Sequence, residues 1–141
     1  MTPSEMQHIL ERVHNEVIDE GKLELVDELY APTVVWHGPS TEYRGWEGMK
    51  TLYGSFRPAF PERTYDYEFM QFTEDSIVGR WVLRGVHKGE IMGIAPTGKH
   101  IEVTGITVHR FEDGRIAEEW EEFDALSLLR QLGALPETLS L

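Results

Sequence analysis

The chain has 141 residues, a net charge of −12, 40% hydrophobic and 11% aromatic residues, and no cysteine. That length and apolar content fit one globular domain over residues 1–141 with one core. The acidity argues against a nucleic-acid partner, because a phosphate backbone would be repelled. The missing cysteines remove disulfides, thiolate metal sites and a cysteine nucleophile.

Thr2-Pro3-Ser4-Glu5 has the form of a capping box with proline at the first helical position. Met6, Ile9, Leu10, Val13 and Val17 follow at helical spacing, and Gly21 ends the helix. A second short helix carries Leu25, Val26, Leu29 and Tyr30, with Pro32 as its stop. Thr33 to His37 is a short β-prone run closed by Gly38-Pro39. Gly45 to Phe56 reads as a third helix, broken by Pro58 and Pro61.

From Arg63 the periodicity changes to that of strands, predicted over Thr64–Thr73, Ser76–His87, Ile101–Phe111 and Ile116–Asp124. Asp113-Gly114 is a two-residue hairpin turn between the last two strands. A longer loop holds Gly89, Gly93, Pro96 and Gly98, and Ala125–Leu132 is a last helix closed by Gly133. Helices first and antiparallel strands after predict an α+β fold, a curled sheet whose open face the helices close around a pocket. No apolar run is long enough to span a membrane, and the start lacks a basic and apolar leader, so the expected location is cytoplasmic.

The second half carries a set of recognisable motifs. Residues 81–89 read Trp-Val-Leu-Arg-Gly-Val-His-Lys-Gly, and 93–99 read Gly-Ile-Ala-Pro-Thr-Gly-Lys. Gly-Ile-Thr-Val-His-Arg-Phe follows at 105–111, then Asp113-Gly114-Arg115-Ile116, Glu119-Trp120, Phe123-Asp124 and Leu-Arg-Gln-Leu-Gly at 129–133. Together with Pro-Ala-Phe-Pro at 58–61, the chain resembles the SnoaL-like polyketide cyclases of the nuclear transport factor 2-like superfamily. The resemblance implies a cone-shaped, cystatin-like α+β barrel with a cofactor-free pocket. It also implies an aspartate late in the sheet as acid/base for aldol-type ring closure, best matched by Asp124. Glu62 and Val86 depart from the family pattern, which has aspartate and threonine at those places.

Ring closure needs a base beside one carbonyl and an acid at another, and a dry pocket tunes a carboxylate for either role. Asp124 is the candidate, with capping of the final helix as its alternative role. His109, on one strand face with Gly105, Thr107 and Phe111, is the candidate assistant, with a structural role as the alternative. Strand alternation puts Trp120, Glu122 and Asp124 on one face, and Glu121 and Phe123 on the other. Trp36, His37, Phe56, Trp81, His87 and Trp120 are the candidate substrate-binding residues. His37 could also be a loop residue, and His87 could bond loop backbone.

No His-x-His pair, His-Glu-x-x-His helix, Gly-x-Ser-x-Gly elbow or phosphate-binding loop occurs, so the expectation is no metal and no cofactor. The resemblance also implies a homodimer, since superfamily members often pair through the convex sheet face, which Arg80, Arg84 and Glu102 make partly charged here. The competing readings are a cyclase, an isomerase or hydrolase using the same pocket, and a binding or dimerisation domain without turnover.

Overall fold

A computed structural model describes residues 1–136; the rest of the expected domain, residues 137–141, lies outside the described residues. The fold is α+β, a curled and unclosed six-stranded sheet with four α-helices. Helix α1 spans Pro3–Arg12. Its capping box is complete: Thr2 Oγ1 accepts from the Glu5 N–H at 3.1 Å, and Glu5 Oε2 accepts from the Thr2 N–H at 2.9 Å. The helix continues as a π-helical segment, Val13–Asp19. This corrects the expectation of one uniform α-helix ending at Gly21.

A 3₁₀ turn, Leu23–Leu25, leads into α2, Val26–Leu29. Strand β1 runs Tyr30–Gly38, so Pro32 lies within a strand instead of ending a helix. Strand β2, Thr41–Arg44, was not expected. Helix α3, Gly45–Ala59, accommodates Pro58 in its last turn. Strands β3 Arg63–Phe72, β4 Ser76–Val86, β5 His100–Glu112 and β6 Arg115–Phe123 match the predicted strands to within a residue or so, and α4 is Ala125–Gln131.

The strand order is β2-β1-β6-β5-β4-β3. All neighbours are antiparallel except β1 and β6, which run parallel. The expected all-antiparallel sheet is therefore corrected to a mixed one. The early chain crosses to the far edge of β6 instead of forming a hairpin with it.

One irregularity decides which side chains face inward. Beyond the Asp113-Gly114 turn, Glu112 pairs with Arg115 and Phe111 with Ile116, but Arg110 pairs with Glu118. Ala117 is the extra residue, and Ile116 and Ala117 are buried in succession. A bulge of this kind flips every later side chain to the other face. Without it Thr107 would stand opposite Trp120; with it Thr107 stands opposite Glu121, and His109 opposite Glu119.

The concave face is closed by α1, the π segment and α3. Met6, Leu10, Val13 and Val17 pack there with Met49, Tyr53, Ile77 and Ile116. The Trp46 indole fastens α3 to β1 by donating to the Tyr30 carbonyl at 2.8 Å. A second cluster, with Phe60, Trp81, Leu83, Val103, Leu128 and Leu132, holds α4 against the sheet.

Candidate active site

A cavity of about 750 Å³ opens between the concave sheet face and the helices. Its apolar wall comes from Trp36, Tyr43, Leu52, Phe56, Phe60, Tyr65, Trp81, Leu83 and Phe123. Two glycines let aromatic rings lie against the sheet. A Cβ on Gly105 would sit 2.2 Å from the Trp81 ring, and one on Gly79 would sit 2.6 Å from the Tyr67 ring. Tyr65 and Trp81 stack at 5.0 Å between ring centroids.

The polar part of the wall comes from neighbouring positions on β5 and β6. His109 Nε2 lies 3.2 Å from Glu119 Oε1, and each side chain is only 5% exposed. Tyr30 donates to the same Glu119 oxygen at 3.5 Å and is itself bonded to the Tyr53 hydroxyl. Thr107 accepts from the Trp81 indole at 2.7 Å and hydrogen-bonds Glu121. Burial pushes the Glu121 carboxyl up to about 8, and the charge of Glu119 adds to the rise, against the hydrogen bond from Thr107. Glu121 is half-buried, and the surface it retains opens on the cavity.

The helical side supplies His14, Asn15, Ile18 and Asp19 from the π segment. His14 Nε2 lies 3.0 Å from the Tyr67 hydroxyl. Burial drives its pKa down to about 3, and the charges of His109 and Arg63 lower it further, so the ring is neutral. Burial likewise holds the Tyr30, Tyr53, Tyr65 and Tyr67 hydroxyls well above the ordinary phenol range. Arg63, at the rim, is tied to Asp19 at 2.7 Å and to the Phe60 carbonyl at 2.9 Å.

Of the residues singled out from sequence, the structure brings Trp36, Phe56, Trp81 and His109 to the cavity. Four others lie elsewhere. Asp124 is exposed and caps α4, its Oδ1 accepting from the Ser127 N–H at 2.9 Å. Trp120 is 38% exposed on the outer sheet face. The candidate cavity roles of Trp120 and Asp124 are thus corrected: the Ala117 bulge turns Trp120 to the outer face, and Asp124 lies past the end of β6 as the cap of α4. His37 stacks on Trp120 at 5.4 Å and sits between Glu42 at 3.0 Å and Glu118 at 2.7 Å, away from the cavity. His87 is buried behind Phe60; its Nδ1 accepts from the Thr97 N–H at 3.2 Å, and it does not line the cavity.

The sequence reading missed His14, Glu119 and Glu121. The signal for the two glutamates was present in the inward face of His109 and Thr107, but the bulge had to be known to use it. No such signal marked His14. Among the described residues, no three His, Asp or Glu side chains group as a metal site requires.

The sequence matches the SnoaL-like polyketide cyclase family over residues 8–132. The chain belongs to this family. It is 29% identical over 135 residues to the aklanonic acid methyl ester cyclase AcmA of Streptomyces galilaeus, covering 92% of this chain and 81% of that relative. Identity to the aklanonic acid methyl ester cyclase DnrD of Streptomyces peucetius is also 29%, over 130 residues, covering 89% and 77%. The fold is similar to TsrD of Streptomyces laurentii, with a TM-score of 0.84 at 28% identity, over 96% of this chain and 99% of that one. IdmH of Streptomyces antibioticus superposes with a TM-score of 0.74 at 33% identity, over 91% and 98%. As a SnoaL-like cyclase relative, the chain thus keeps the family's architecture along nearly its whole length.

Proposed function

We propose that this SnoaL-like protein is an acid/base cyclase that closes a ring in an apolar polyketide ester or ketone. The observation that carries the reading is the juxtaposition of the buried His109–Glu119 pair with Glu121 in one aromatic-walled cavity. His109 Nε2–H donates to Glu119, which leaves Nδ1 as a base with no partner among the described residues. In this reading Nδ1 takes a proton from the carbon beside one carbonyl. That carbon forms the new C–C bond to a second carbonyl carbon, and the Glu121 carboxylic acid gives its proton to the accepting oxygen, making an alcohol. His109 has gained one proton and Glu121 has lost one, so passing the first to the second resets the site. No redox partner is needed, and the working form we propose takes no cofactor and no metal.

Aklanonic acid methyl ester, named for both AcmA and DnrD, and related methyl esters are the first substrates to try. Ring closure of such esters should fall about 10²–10⁴-fold in Glu121→Gln and in His109→Gln, the usual contribution of general acid/base groups. Parent-level rates in both variants, with both still folded, would overturn this assignment.

We further infer a homodimer of 1–141 single-domain chains, pairing through the outer sheet face. Trp120, Ile106 and Phe69 are large exposed hydrophobics there, bordered by the Arg80–Glu68 and Arg84–Glu102 pairs. A cytoplasmic setting is the proposed location, in keeping with a chain that carries no cysteine. The partner is a small molecule; neither nucleic acid nor membrane enters the reading. No helix among the described residues is long and apolar enough to cross a membrane.

A further inference from the structure

We propose that His14 is a neutral hydrogen-bond donor of the cavity, its Nδ1–H binding the carbonyl oxygen of a ketone or ester ligand, with Tyr67 as the residue that fixes this tautomer. The inference rests on the carbonyl-substrate reading above and adds a group on the helical wall, opposite the sheet carboxylates.

The backbone supplies the first part. His14 lies in the π-helical segment Val13–Asp19, where the ladder widens and Glu20 N–H reaches back to the Asn15 carbonyl at 3.2 Å. Single π turns inside α-helices recur at functional sites because they re-aim side chains. Here the segment turns His14, Asn15, Ile18 and Asp19 to the cavity.

The ring's two nitrogens have different surroundings. Nε2 faces the Tyr67 hydroxyl at 3.0 Å, and Tyr67 is in turn hydrogen-bonded to Tyr65. A phenol is a stronger acid than an imidazole N–H, and an imidazole nitrogen is a stronger base than a phenol oxygen. The chain therefore runs Tyr65 to Tyr67 to Nε2, each hydroxyl donating forward. With Nε2 accepting, the proton of the neutral ring sits on Nδ1. Nδ1 has no hydrogen-bond partner among the described residues, and it is not sealed, since the one buried unpartnered side-chain nitrogen among them is His87 Nε2. Arg63, and His109 once it has taken up a proton, both oppose a second proton on the ring, and the stacked Tyr65 ring at 4.6 Å holds its plane.

A neutral imidazole is suited to this task. It polarises a carbonyl by hydrogen bonding without the desolvation cost of a buried cation. The proton stays on Nδ1 throughout, so no transfer step is added to the reaction.

The experiment uses the full chain and α-tetralone carrying a ¹³C carbonyl. Histidine-¹⁵N NMR of the parent should show His14 neutral and Nδ1-protonated across the pH range in which the protein is folded. The infrared carbonyl band of bound tetralone should lie below its position in apolar solvent. The shift should shrink in His14→Phe, which keeps the ring stack, and in Tyr67→Phe, which frees Nε2 to take the proton. It should be largely kept in His14→Asn, whose amide can donate from near the same place. An Nε2-protonated His14, a band unmoved by His14→Phe, or no tetralone binding by the parent would each overturn the proposal. None of these readouts requires turnover. A parent that binds and polarises tetralone yet cyclises no ester would count against the cyclase reading and leave His14 as the carbonyl donor.

Discussion

His109 and Glu119 stand opposite each other in the β5–β6 register, and their side chains meet at 3.2 Å where solvent hardly reaches. Removing the acceptor from such a buried pair leaves the His109 N–H unsatisfied in a low-dielectric site, at a typical cost of about 1–3 kcal/mol. Glu119→Gln keeps the shape and an acceptor oxygen, whereas Glu119→Leu leaves His109 with no acceptor. The Leu variant should therefore melt well below the Gln variant in thermal unfolding. Equal melting temperatures would mean the contact contributes nothing to the fold.

Asp124 is expected to matter for stability alone. Its carboxylate satisfies the Ser127 N–H at the start of α4, and loss of such a cap costs about 1 kcal/mol. Asp124→Ala should lower the melting temperature modestly, Asp124→Asn should not, and both should turn over substrate at the parent rate. A hundredfold loss of turnover in a well-folded Asp124→Asn variant would return the residue to the reaction.

The contrast between Asp124 and Glu121 shows what was legible in the sequence. Periodicity and the Asp113-Gly114 turn placed the four long strands to about a residue, and the Thr2 capping box placed the start of α1, because each rests on local chemistry. His109 and Trp81 reached the cavity because alternation within one unbroken strand is reliable. Trp120 did not, because a single residue inserted at Ala117 inverts the strand phase after it, and Asp124 did not, because β6 ends at Phe123 and the Asp124 side chain turns to cap α4. Nothing in Ile116-Ala117 announces a bulge; the register with β5 and the burial of both residues show it. The parallel pairing of β1 with β6 and the π segment around His14 are likewise consequences of tertiary packing, invisible to local pattern.

Gly105 is a test of how tightly the Trp81 wall is built. A methyl there would lie 2.2 Å from the indole, and Trp81 has the Thr107 hydrogen bond to lose if it moves. Gly105→Ala should destabilise by about 1–3 kcal/mol, the usual range for overpacking. It should also weaken tetralone binding, since Trp81 would be pushed into the cavity. Unchanged binding and stability would show that the wall yields.

The outer face is tested by charge. Trp120→Glu and Ile106→Glu leave the cavity residues untouched, because both side chains point away from it. In light scattering the parent should run at twice the chain mass and the double variant at the chain mass, with an unchanged circular dichroism spectrum. A parent that is monomeric at micromolar concentration, or a dimeric double variant, would remove the sheet-face dimer.

Glu121 couples pH to both stability and rate, and the two signs are fixed by the same fact. An ordinary glutamate loses its proton near pH about 4.3, whereas the buried Glu121 keeps its proton up to about 8. Between those values the folded chain holds a proton that the unfolded chain has released, so this group makes stability fall as pH rises. The contribution is absent below the unfolded value and the loss is complete above the folded one. Glu121→Gln removes the effect. The variant should match the parent at acid pH and exceed it in melting temperature above pH about 8. The rate should show the mirror image. As the proton donor to the accepting oxygen, Glu121 must be protonated, so kcat/KM of the parent should decline above the same value. In Glu121→Gln the remaining turnover should be about 10²–10⁴-fold lower, with that alkaline limb missing. A Gln variant that keeps the parent rate, or that keeps the alkaline limb, would place the acid on another residue.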